Sequence, residues 1–475
     1  MDLTLLGSFG VTLAKWLVTV PLIGFYFNPG GRVPASENIR LERYEWQPAF
    51  DAVNTQADKN LMAPTDKVPF FHVRPAPKFA GVYLWDSAFI AVMWKHRNLT
   101  VSKDVLKSVL HFQKADGRVP HVVSSWAEGS MSQPPLLSWA AVEVNKMGTD
   151  LPFLKEIYPK LKKYHQWLFK ARRFPNGLFF WLHPYESGID NSPRFGTRDE
   201  SRFVDTRRTA SVDLTSYMVI DTESLKRIAS DIAQNMVEGP QKAAYDADIA
   251  QYETEINEMK REAQAYLWDE QTGYFLDRNM ENDEFIRIPT IASFMPIFAG
   301  IANKEQFIRL REHLMNPEEF NTPIPFPTVA RNEKSFEKDC WRGPVWINTA
   351  YMVLQGLKRY QDKAGVEYLG SRLVDGVYKT WKNTQTFVEF YDPERYDFTE
   401  LTRKKGTGLF KFFSGSHDPL KFMEHLVAKQ MYLGQKPVGG FIGWTGLVNN
   451  IVIEDLQPSN ELQQISGEKV PDKSL

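Results

Sequence analysis

The sequence contains a single cysteine, Cys340, among its 475 residues, so no internal disulfide can form. Its histidines and this cysteine show no zinc-site spacing, and no calcium-loop pattern occurs. A glycine-rich phosphate loop after a strand is also missing. The sequence therefore predicts neither a metal site nor a nucleotide cofactor.

A strong excess of one charge is missing as well. Lysine and arginine (57) nearly balance aspartate and glutamate (58), which leaves a net charge of −1. Because no long basic run occurs either, a nucleic-acid partner is disfavoured. Aromatic residues, in contrast, are abundant, with 13 Trp, 18 Tyr and 32 Phe. Most of them are expected in the core, but tryptophan also stacks well on sugar rings.

Residues 1–28 form a hydrophobic N-terminal segment that is long enough to span a bilayer. Lys15 lies near its middle, where a charge is costly, so a cleaved signal is the second interpretation, with a small-residue site at Val33-Pro34-Ala35. A helix packed on a soluble protein is the third. We expect a membrane-anchored or exported protein, with a cytoplasmic location as the alternative.

Residues 29–455 show helical periodicity almost throughout, which predicts an all-α domain. Some helices are apolar on one face, such as the one carrying Leu161, Tyr164 and Leu168, and others, such as 344–356, are apolar nearly all round. This alternation predicts two layers, and about twelve helices match an (α/α)6 barrel, a double-ring helical toroid. The predicted helices are 83–97, 102–113, 135–147, 152–172, 211–234, 239–267, 293–301, 303–315, 345–361, 365–382, 418–432 and 443–455.

Short strands are expected in the connecting loops, at 176–181 and 271–276, where a glycine turn precedes large residues. The stretch 392–440 mixes basic and aromatic residues and is interpreted as an insertion into the domain. Residues 456–475 are polar and are expected to form a disordered tail.

Two segments combine carboxylates with aromatic residues. The first, 186–195, holds Glu186 and Asp190 among hydroxyl, amide and guanidinium groups. Burying that polarity without partners costs several kcal/mol, so it predicts a loop that presents an acid to a ligand. The second, 387–393, holds Glu389 and Asp392. Two separately placed carboxyl groups among aromatic residues are what hydrolysis of a glycosidic bond requires.

Several motifs together resemble glycoside hydrolase family 63 and, more distantly, the trehalases. They are Tyr83-Leu84-Trp85-Asp86-Ser87, Gln113 with 116–121, Gln133-Pro134-Pro135, 186–194, Asp213 with Tyr217, 341–346, Glu389-Phe390-Tyr391 and Gly443-Trp444-Thr445. The resemblance runs from about Lys78 to Leu456. It implies an (α/α)6 barrel and an inverting hydrolase without a cofactor.

The resemblance also implies roles for individual residues. Asp190 corresponds to the general acid, with Glu186 as the alternative, and Glu389 corresponds to the general base. The residues expected to bind the substrate are Trp85, Asp86, Gln113, Tyr217, Trp341, Arg342, Trp346 and Trp444. Arg342 would bind sugar hydroxyls or a carboxylate such as glycerate, unless it pairs with Asp339 or Glu389.

We therefore expect an inverting, exo-acting α-glycosidase that hydrolyses a short terminal α-glucoside or α-mannoside, of oligosaccharide or glycosyl-glycerate type. The only expected partner is this small saccharide, apart from a membrane contact through the N-terminal segment. A trehalase is the first alternative, and a sugar-binding toroid without catalysis is the second. The long stretch between Tyr391 and Trp444 departs from the family pattern, so the leaving group cannot be inferred from the resemblance.

Overall fold

The computed structural model describes residues 45–124, 128–196, 205–403 and 436–456. The hydrophobic N-terminal segment, most of the predicted insertion with its helix at 418–432, and the polar tail from residue 457 lie outside these described residues.

Helices dominate the described part of the chain, which contains twelve of them. They are α1 (Gln47–Asn60), α2 (Leu84–Trp94), α3 (Leu99–Leu110), α4 (Leu137–Asn145), α5 (Leu151–Ala171), α6 (Val212–Ala233), α7 (Pro240–Tyr266), α8 (Met295–Phe298), α9 (Lys304–Met315), α10 (Ile347–Arg359), α11 (Lys363–Thr384) and α12 (Leu447–Asp455). The predicted all-helical character is confirmed for the described residues. One helix, α1, has no counterpart among the predicted ones.

The even-numbered helices are the more deeply buried set. Every residue of α2 is buried, as are most residues of α6 and α10. The odd-numbered helices bury one face, as α5 does with Leu154, Ile157, Leu161 and Leu168 at spacings of three and four residues. Each even helix packs against the next one, from α2 to α12, and α12 also packs against α2.

Side-chain caps occur on four of the six described odd-numbered helices, with α1 and α7 as the exceptions. The side chains of Asn98, Asp150, Asn303 and Asp362 cap the N-termini of α3, α5, α9 and α11 by accepting backbone N–H bonds. The described even helices have no such side-chain cap. Residues of the predicted site lie at or just before the starts of α2, α10 and α12, so these helix ends position the site.

The strands are short and lie in the loops. Four antiparallel pairs join β1 (Leu61–Met62) to β2 (His72–Val73), β3 (Val82–Tyr83) to β4 (Val122–Val123), β5 (Thr209–Ala210) to β8 (Arg278–Asn279), and β6 (Trp268–Asp269) to β7 (Tyr274–Phe275). The predicted strand at 271–276 corresponds to β7 and its turn, and the one at 176–181 to a single antiparallel bridge between Arg173 and Phe179.

Within the described residues, one continuous hydrophobic core joins all twelve helices. None of the helices in this part of the chain has both the length and the apolar character that crossing a membrane requires.

Candidate active site

The loop between α5 and α6 holds Asp190 between two short 3-10 helices, Pro184–Ser187 and Pro193–Phe195. From His183 to Phe195 every residue is buried except Asp190, which is half-buried. Gly188 turns the chain just before it, with a φ of +74°, a left-handed conformation that glycine adopts without strain. The loop is therefore anchored on both sides and presents a single carboxyl group.

Glu186 is the anchor on the N-terminal side of Asp190. Its carboxylate accepts two hydrogen bonds of 2.8 Å from the guanidinium of Arg172. It also accepts backbone N–H bonds from Leu182 (2.8 Å) and Ser132 (3.3 Å). Four hydrogen bonds match the lone pairs that a carboxylate offers. Glu186 does not line the cavity described below, and its hydrogen bonds stabilise the loop.

Arg194 is the anchor on the C-terminal side. Its guanidinium is buried and pairs with Asp213 and with Asp277, the latter at 3.1 Å. Burial alone would lower the pKa of Arg194, but the two carboxylates outweigh it and raise the pKa. Burial raises the pKa of Asp277 to about 6, with Asp213 adding to the effect and Arg194 opposing it. The pairs fix the end of the loop to the start of α6.

Glu389 lies in a short extended segment between α11 and the insertion. The backbone of Tyr391 pairs with Val345 in both directions, at 2.8 and 2.9 Å, and the N–H of Glu389 bonds to the carbonyl of Val438 at 3.1 Å. The Glu389 carboxylate is buried and receives two hydrogen bonds from Arg403, of 2.6 and 3.2 Å. Hydrogen bonds therefore fix both the backbone and the side chain of Glu389.

The two other carboxylates of this segment point elsewhere. Asp392 pairs with Lys338 at 3.1 Å and accepts the backbone N–H of Glu394, which forms the turn expected before Pro393. Glu394 pairs with Lys338 and Arg331. Neither lines the cavity, so Glu389 is the carboxylate that this segment contributes to it.

Four tryptophans form one aromatic cluster between the two carboxylate segments. Trp341 stacks on Trp346 with ring centroids 3.6 Å apart, and Trp346 contacts Trp444 at 5.4 Å. Trp85 contacts both Trp341 (6.0 Å) and Trp444 (5.8 Å). The indole N–H of Trp444 donates to the backbone carbonyl of Glu389 at 2.9 Å, which connects this cluster to the segment that carries Glu389.

The indole N–H of Trp341 differs from its neighbours because it is buried and has no hydrogen-bond acceptor among the described residues. Trp346, in comparison, donates its N–H to the carbonyl of Cys340 at 2.8 Å. A buried polar group is normally hydrogen-bonded. The indole N–H of Trp341 is therefore a hydrogen-bond donor in the wall of the cavity described below.

A cavity of about 330 Å³ lies between these elements. It is lined by seven of the ten predicted site residues, namely Trp85, Asp86, Asp190, Trp341, Trp346, Glu389 and Trp444. Asp86 is buried in the first turn of α2, directly after Trp85. The structure thus brings the two predicted catalytic carboxylates, nearly 200 residues apart in sequence, to one cavity.

The other three predicted residues do not line this cavity. Gln113 donates both amide hydrogens to carbonyls, of Gly117 (2.9 Å) and Lys160 (2.8 Å), and so holds a turn on α5. Tyr217 is fully buried in α6. Its hydroxyl has a raised pKa because of burial, with a further contribution from Asp213.

Arg342 is the third of these residues. Its guanidinium pairs with Glu337 at 2.9 Å and donates to the carbonyls of Asn191 (3.2 Å) and Gly196 (3.3 Å). Arg342 thus supports the loop that carries Asp190, rather than reaching the cavity. Its partner is thus Glu337 rather than Asp339 or Glu389, and its contact with a substrate stays a prediction.

Several lining residues were not predicted individually. They are Lys78, Phe79, Ala80, Gly81, Tyr83, His121, Val122, Ser124, Gln133, Tyr185, Gly188 and Phe441. Tyr83, His121 and Gln133 belong to motifs that carry the family resemblance, so the sequence contained a signal for them. The pairing of β3 with β4 places Tyr83 beside Val122. Phe441 packs on Trp444, with centroids 4.5 Å apart.

Residues 80–407 match the family model described as the mannosylglycerate hydrolase MGH1-like glycoside hydrolase domain. The mannosylglycerate hydrolase of Thermus thermophilus is 27% identical over 377 residues, which cover 66% of this chain and 88% of that protein. A mannosylglycerate hydrolase of Rubrobacter radiotolerans is 22% identical over 394 residues, which cover 68% of this chain and 88% of that protein.

Solved structures give the same picture of the fold. The GH63 mannosylglycerate hydrolase of Thermus thermophilus in complex with glucose superposes with a TM-score of 0.64 at 22% identity, over 84% of this chain and 98% of that one. The neutral trehalase of Saccharomyces cerevisiae gives a TM-score of 0.60 at 16% identity, over 84% of this chain and 75% of that one.

Proposed function

Because the chain belongs to the mannosylglycerate hydrolase MGH1-like glycoside hydrolase family, as the resemblance to family 63 predicted, we propose that it is an inverting, exo-acting α-glycosidase. The observation that carries this proposal is the cavity shared by Asp190 and Glu389. Membership in the family makes the protein a glycoside hydrolase. The stereochemistry, the residue roles and the substrate are the proposal.

Asp190 acts as the general acid and Glu389 as the general base. Asp190 donates its proton to the glycosidic oxygen while the bond from that oxygen to the anomeric carbon breaks. Glu389 accepts a proton from a water molecule whose oxygen forms the new bond on the opposite face of the sugar ring. Such a single displacement requires the two carboxyl groups to lie roughly 6.5–9.5 Å apart, which leaves room for the water.

The rest of the cavity suits a short saccharide. Its volume of about 330 Å³ lies at the lower end of the roughly 300–1,000 Å³ that is usual for small-molecule sites. The tryptophan cluster offers aromatic faces for stacking on the sugar ring. Trp341 supplies an indole N–H and Asp86 a carboxylate for sugar hydroxyls. These features support removal of one terminal unit.

The substrate class is a short terminal α-mannoside or α-glucoside, with glycosyl-glycerates first among them. The relatives named above support this choice. Among the described lining residues, Lys78 is the cationic side chain at the cavity surface and could pair with the carboxylate of a glycerate group. In this respect Lys78 takes the role that the sequence suggested for Arg342.

We also propose that the helices form a closed (α/α)6 toroid. The cyclic order of contacts among α2, α4, α6, α8, α10 and α12 supports an inner ring of six. The one-sided burial of the odd helices supports an outer ring around it. In this arrangement the cavity residues at the starts of α2, α10 and α12 lie together at one end of the ring.

The test is hydrolysis by the purified full-length protein of mannosylglycerate, glucosylglycerate, trehalose, kojibiose, nigerose and maltose. We expect release of mannose or glucose from a glycosyl-glycerate and little from trehalose. Proton NMR during the first minutes should show the β-anomer of the released sugar, because inversion converts an α-linkage to a β-hemiacetal. Asp190→Asn and Glu389→Gln should each lower kcat by about 10²–10⁴-fold, the usual contribution of general acid–base catalysis.

The matched control is Glu394→Gln, which changes a carboxylate of the same segment that does not line the cavity. It should retain the wild-type kcat. Normal turnover in Asp190→Asn or Glu389→Gln would remove that residue from the mechanism. Release of the α-anomer would contradict inversion, and preferential cleavage of trehalose would favour the trehalase alternative.

A further inference from the structure

Arg403 belongs to the predicted insertion at 392–440 and is the last residue described before the gap at 404–435. Its side chain is only 2% exposed and binds both oxygens of Glu389, through Nε at 2.6 Å and Nη2 at 3.2 Å. Its guanidinium also lies 5.7 Å from the ring centroid of Phe79, a lining residue. Arg403 itself does not line the cavity.

The residue before Arg403 is bound to the loops around the site. The Thr402 hydroxyl donates to Asp339 at 2.6 Å, and the Thr402 carbonyl accepts the N–H of Cys340 at 3.0 Å. The other oxygen of Asp339 accepts from the side chain of Asn191 at 3.1 Å, next to Asp190. Thr402 therefore contacts a residue that supports the loop of Asp190. The next residue of the insertion, Arg403, contacts Glu389 itself.

The far end of the insertion contacts the same place. The carbonyl of Val438 accepts the N–H of Glu389, and Lys436 donates to the carbonyl of Leu401 at 3.1 Å. The two described ends of the insertion thus lie side by side against the base segment. This arrangement fixes the backbone of Arg403. Its Nε and Nη2 groups therefore donate to Glu389 in one orientation.

We propose that Arg403 is a positioning residue for the general base, supplied by the insertion; this inference rests on the proposed role of Glu389. A carboxylate offers about four lone-pair positions, and Arg403 occupies two. The remaining positions are available to the attacking water. Its two hydrogen bonds hold the plane of the Glu389 carboxylate fixed.

The proposal predicts an effect on turnover rather than on binding. Displacing a catalytic group by about 1 Å costs roughly a hundredfold in rate. We therefore expect Arg403→Ala to lower kcat about a hundredfold, with KM within about twofold of wild type, on whichever glycoside of the panel the wild type cleaves.

Chemical rescue separates positioning from folding. Added guanidinium chloride, below denaturing concentrations, should restore part of the turnover of Arg403→Ala. Arg403→Lys keeps the charge without the two-pronged fork, so it should lose part of kcat, but less than Arg403→Ala loses. It also provides a second folded variant if the alanine substitution perturbs folding. Circular dichroism and thermal unfolding check that both variants are folded.

Arg359→Ala is the matched control, since Arg359 also binds both oxygens of a glutamate, Glu223, at 2.8 Å, but far from the cavity. It should keep kcat and KM. Turnover within threefold of wild type in Arg403→Ala would overturn the proposal, and so would a loss expressed mainly in KM or a folded variant that guanidinium does not rescue. If Glu389→Gln is fully active, the proposed function fails instead.

Discussion

His165 of α5 connects four helices through one buried network. Its Nδ1 lies 2.9 Å from Asp221 of α6, and its Nε2 lies 3.1 Å from Glu255 of α7. The second oxygen of Asp221 accepts the hydroxyl of Ser138, from α4, at 2.6 Å. Because both ring nitrogens face carboxylates, the protonated imidazolium fits this site and the neutral ring does not.

The strength of this network can be expressed as a pH dependence. Burial alone would lower the pKa of His165, but the hydrogen bonds and charges of Asp221 and Glu255 outweigh it and raise the pKa to about 9. The unfolded value is about 6.5, so the difference corresponds to about 3 kcal/mol at about 1.4 kcal/mol per pH unit. Since the folded pKa is the higher one, this stabilisation is complete below the unfolded value and is lost as the pH rises through about 9.

The measurement is the free energy of unfolding from urea denaturation, at several pH values from about 6 to 9.5. The wild type should lose about 3 kcal/mol over this range through His165. His165→Gln should be less stable at neutral pH and should lack this slope, while slopes from all other groups remain common to both proteins. Parallel stability curves for the two proteins would refute the reasoning, because the network would then not hold a charged histidine.

The helical part of the fold could be predicted because it depends on local spacing. Inner helices such as α2 and α10 are apolar on all sides, and no partner needs to be known to recognise them. In contrast, α1 was missed although Phe50, Val53 and Ala57 follow helical spacing. Its many Asn, Asp and Thr residues have weak helix propensity, so packing stabilises it, including the Trp46 bond to Asp375 of α11 at 3.2 Å.

The starts of helices were predicted less well than their existence. The sequence placed the start of α3 at residue 102, whereas the helix begins at Leu99. The Asn98 side chain accepts the N–H groups of Thr100 and Val101, which is a capping signal that could have been recognised. The Asn98 cap marks where this helix begins, whereas the hydrophobic periodicity becomes clear only one turn later.

For the site, several of the predicted residues belong to short motifs at helix starts and line the cavity. Trp85, Asp86 and Trp346 lie where a buried helix begins, so their position follows from the local sequence. Gln113 and Arg342 lie outside the cavity, because distant partners determine where a long polar side chain points. Arg342 bonds to Asn191, 151 residues away, and Gln113 bonds to Lys160, 47 residues away.

The ion pairs that support the carboxylates were also beyond prediction from the sequence. Arg172 pairs with Glu186, and Arg403 pairs with Glu389. The chain has 57 cationic and 58 acidic residues, and nothing in the local sequence indicates which of them pair. The family resemblance favours Asp190 over Glu186 as the acid, but the pair of Glu186 with Arg172 cannot be read from the sequence. The surroundings of each carboxylate therefore depend on a partner that only the folded chain brings close.

Two further substitutions test the packing of the site and of the core. Gly188→Ala should lower both the unfolding temperature and kcat/KM, because a Cβ at φ +74° would lie 2.6 Å from the Trp85 ring, whereas Gly148→Ala, with open space around it, should change neither in thermal-shift and kinetic assays. Glu454 lies 3.0 Å from Lys95 and 2.8 Å from His96, and these partners outweigh burial and lower its pKa to about 2. A lowered folded pKa stabilises the protein above the unfolded value of about 4.5 and stops doing so as the pH falls towards 2, so the wild type should lose about 3 kcal/mol over that range in urea denaturation. Glu454→Gln should lack this acid-side slope, and an unchanged slope would show that the pair with Lys95 is not formed in solution.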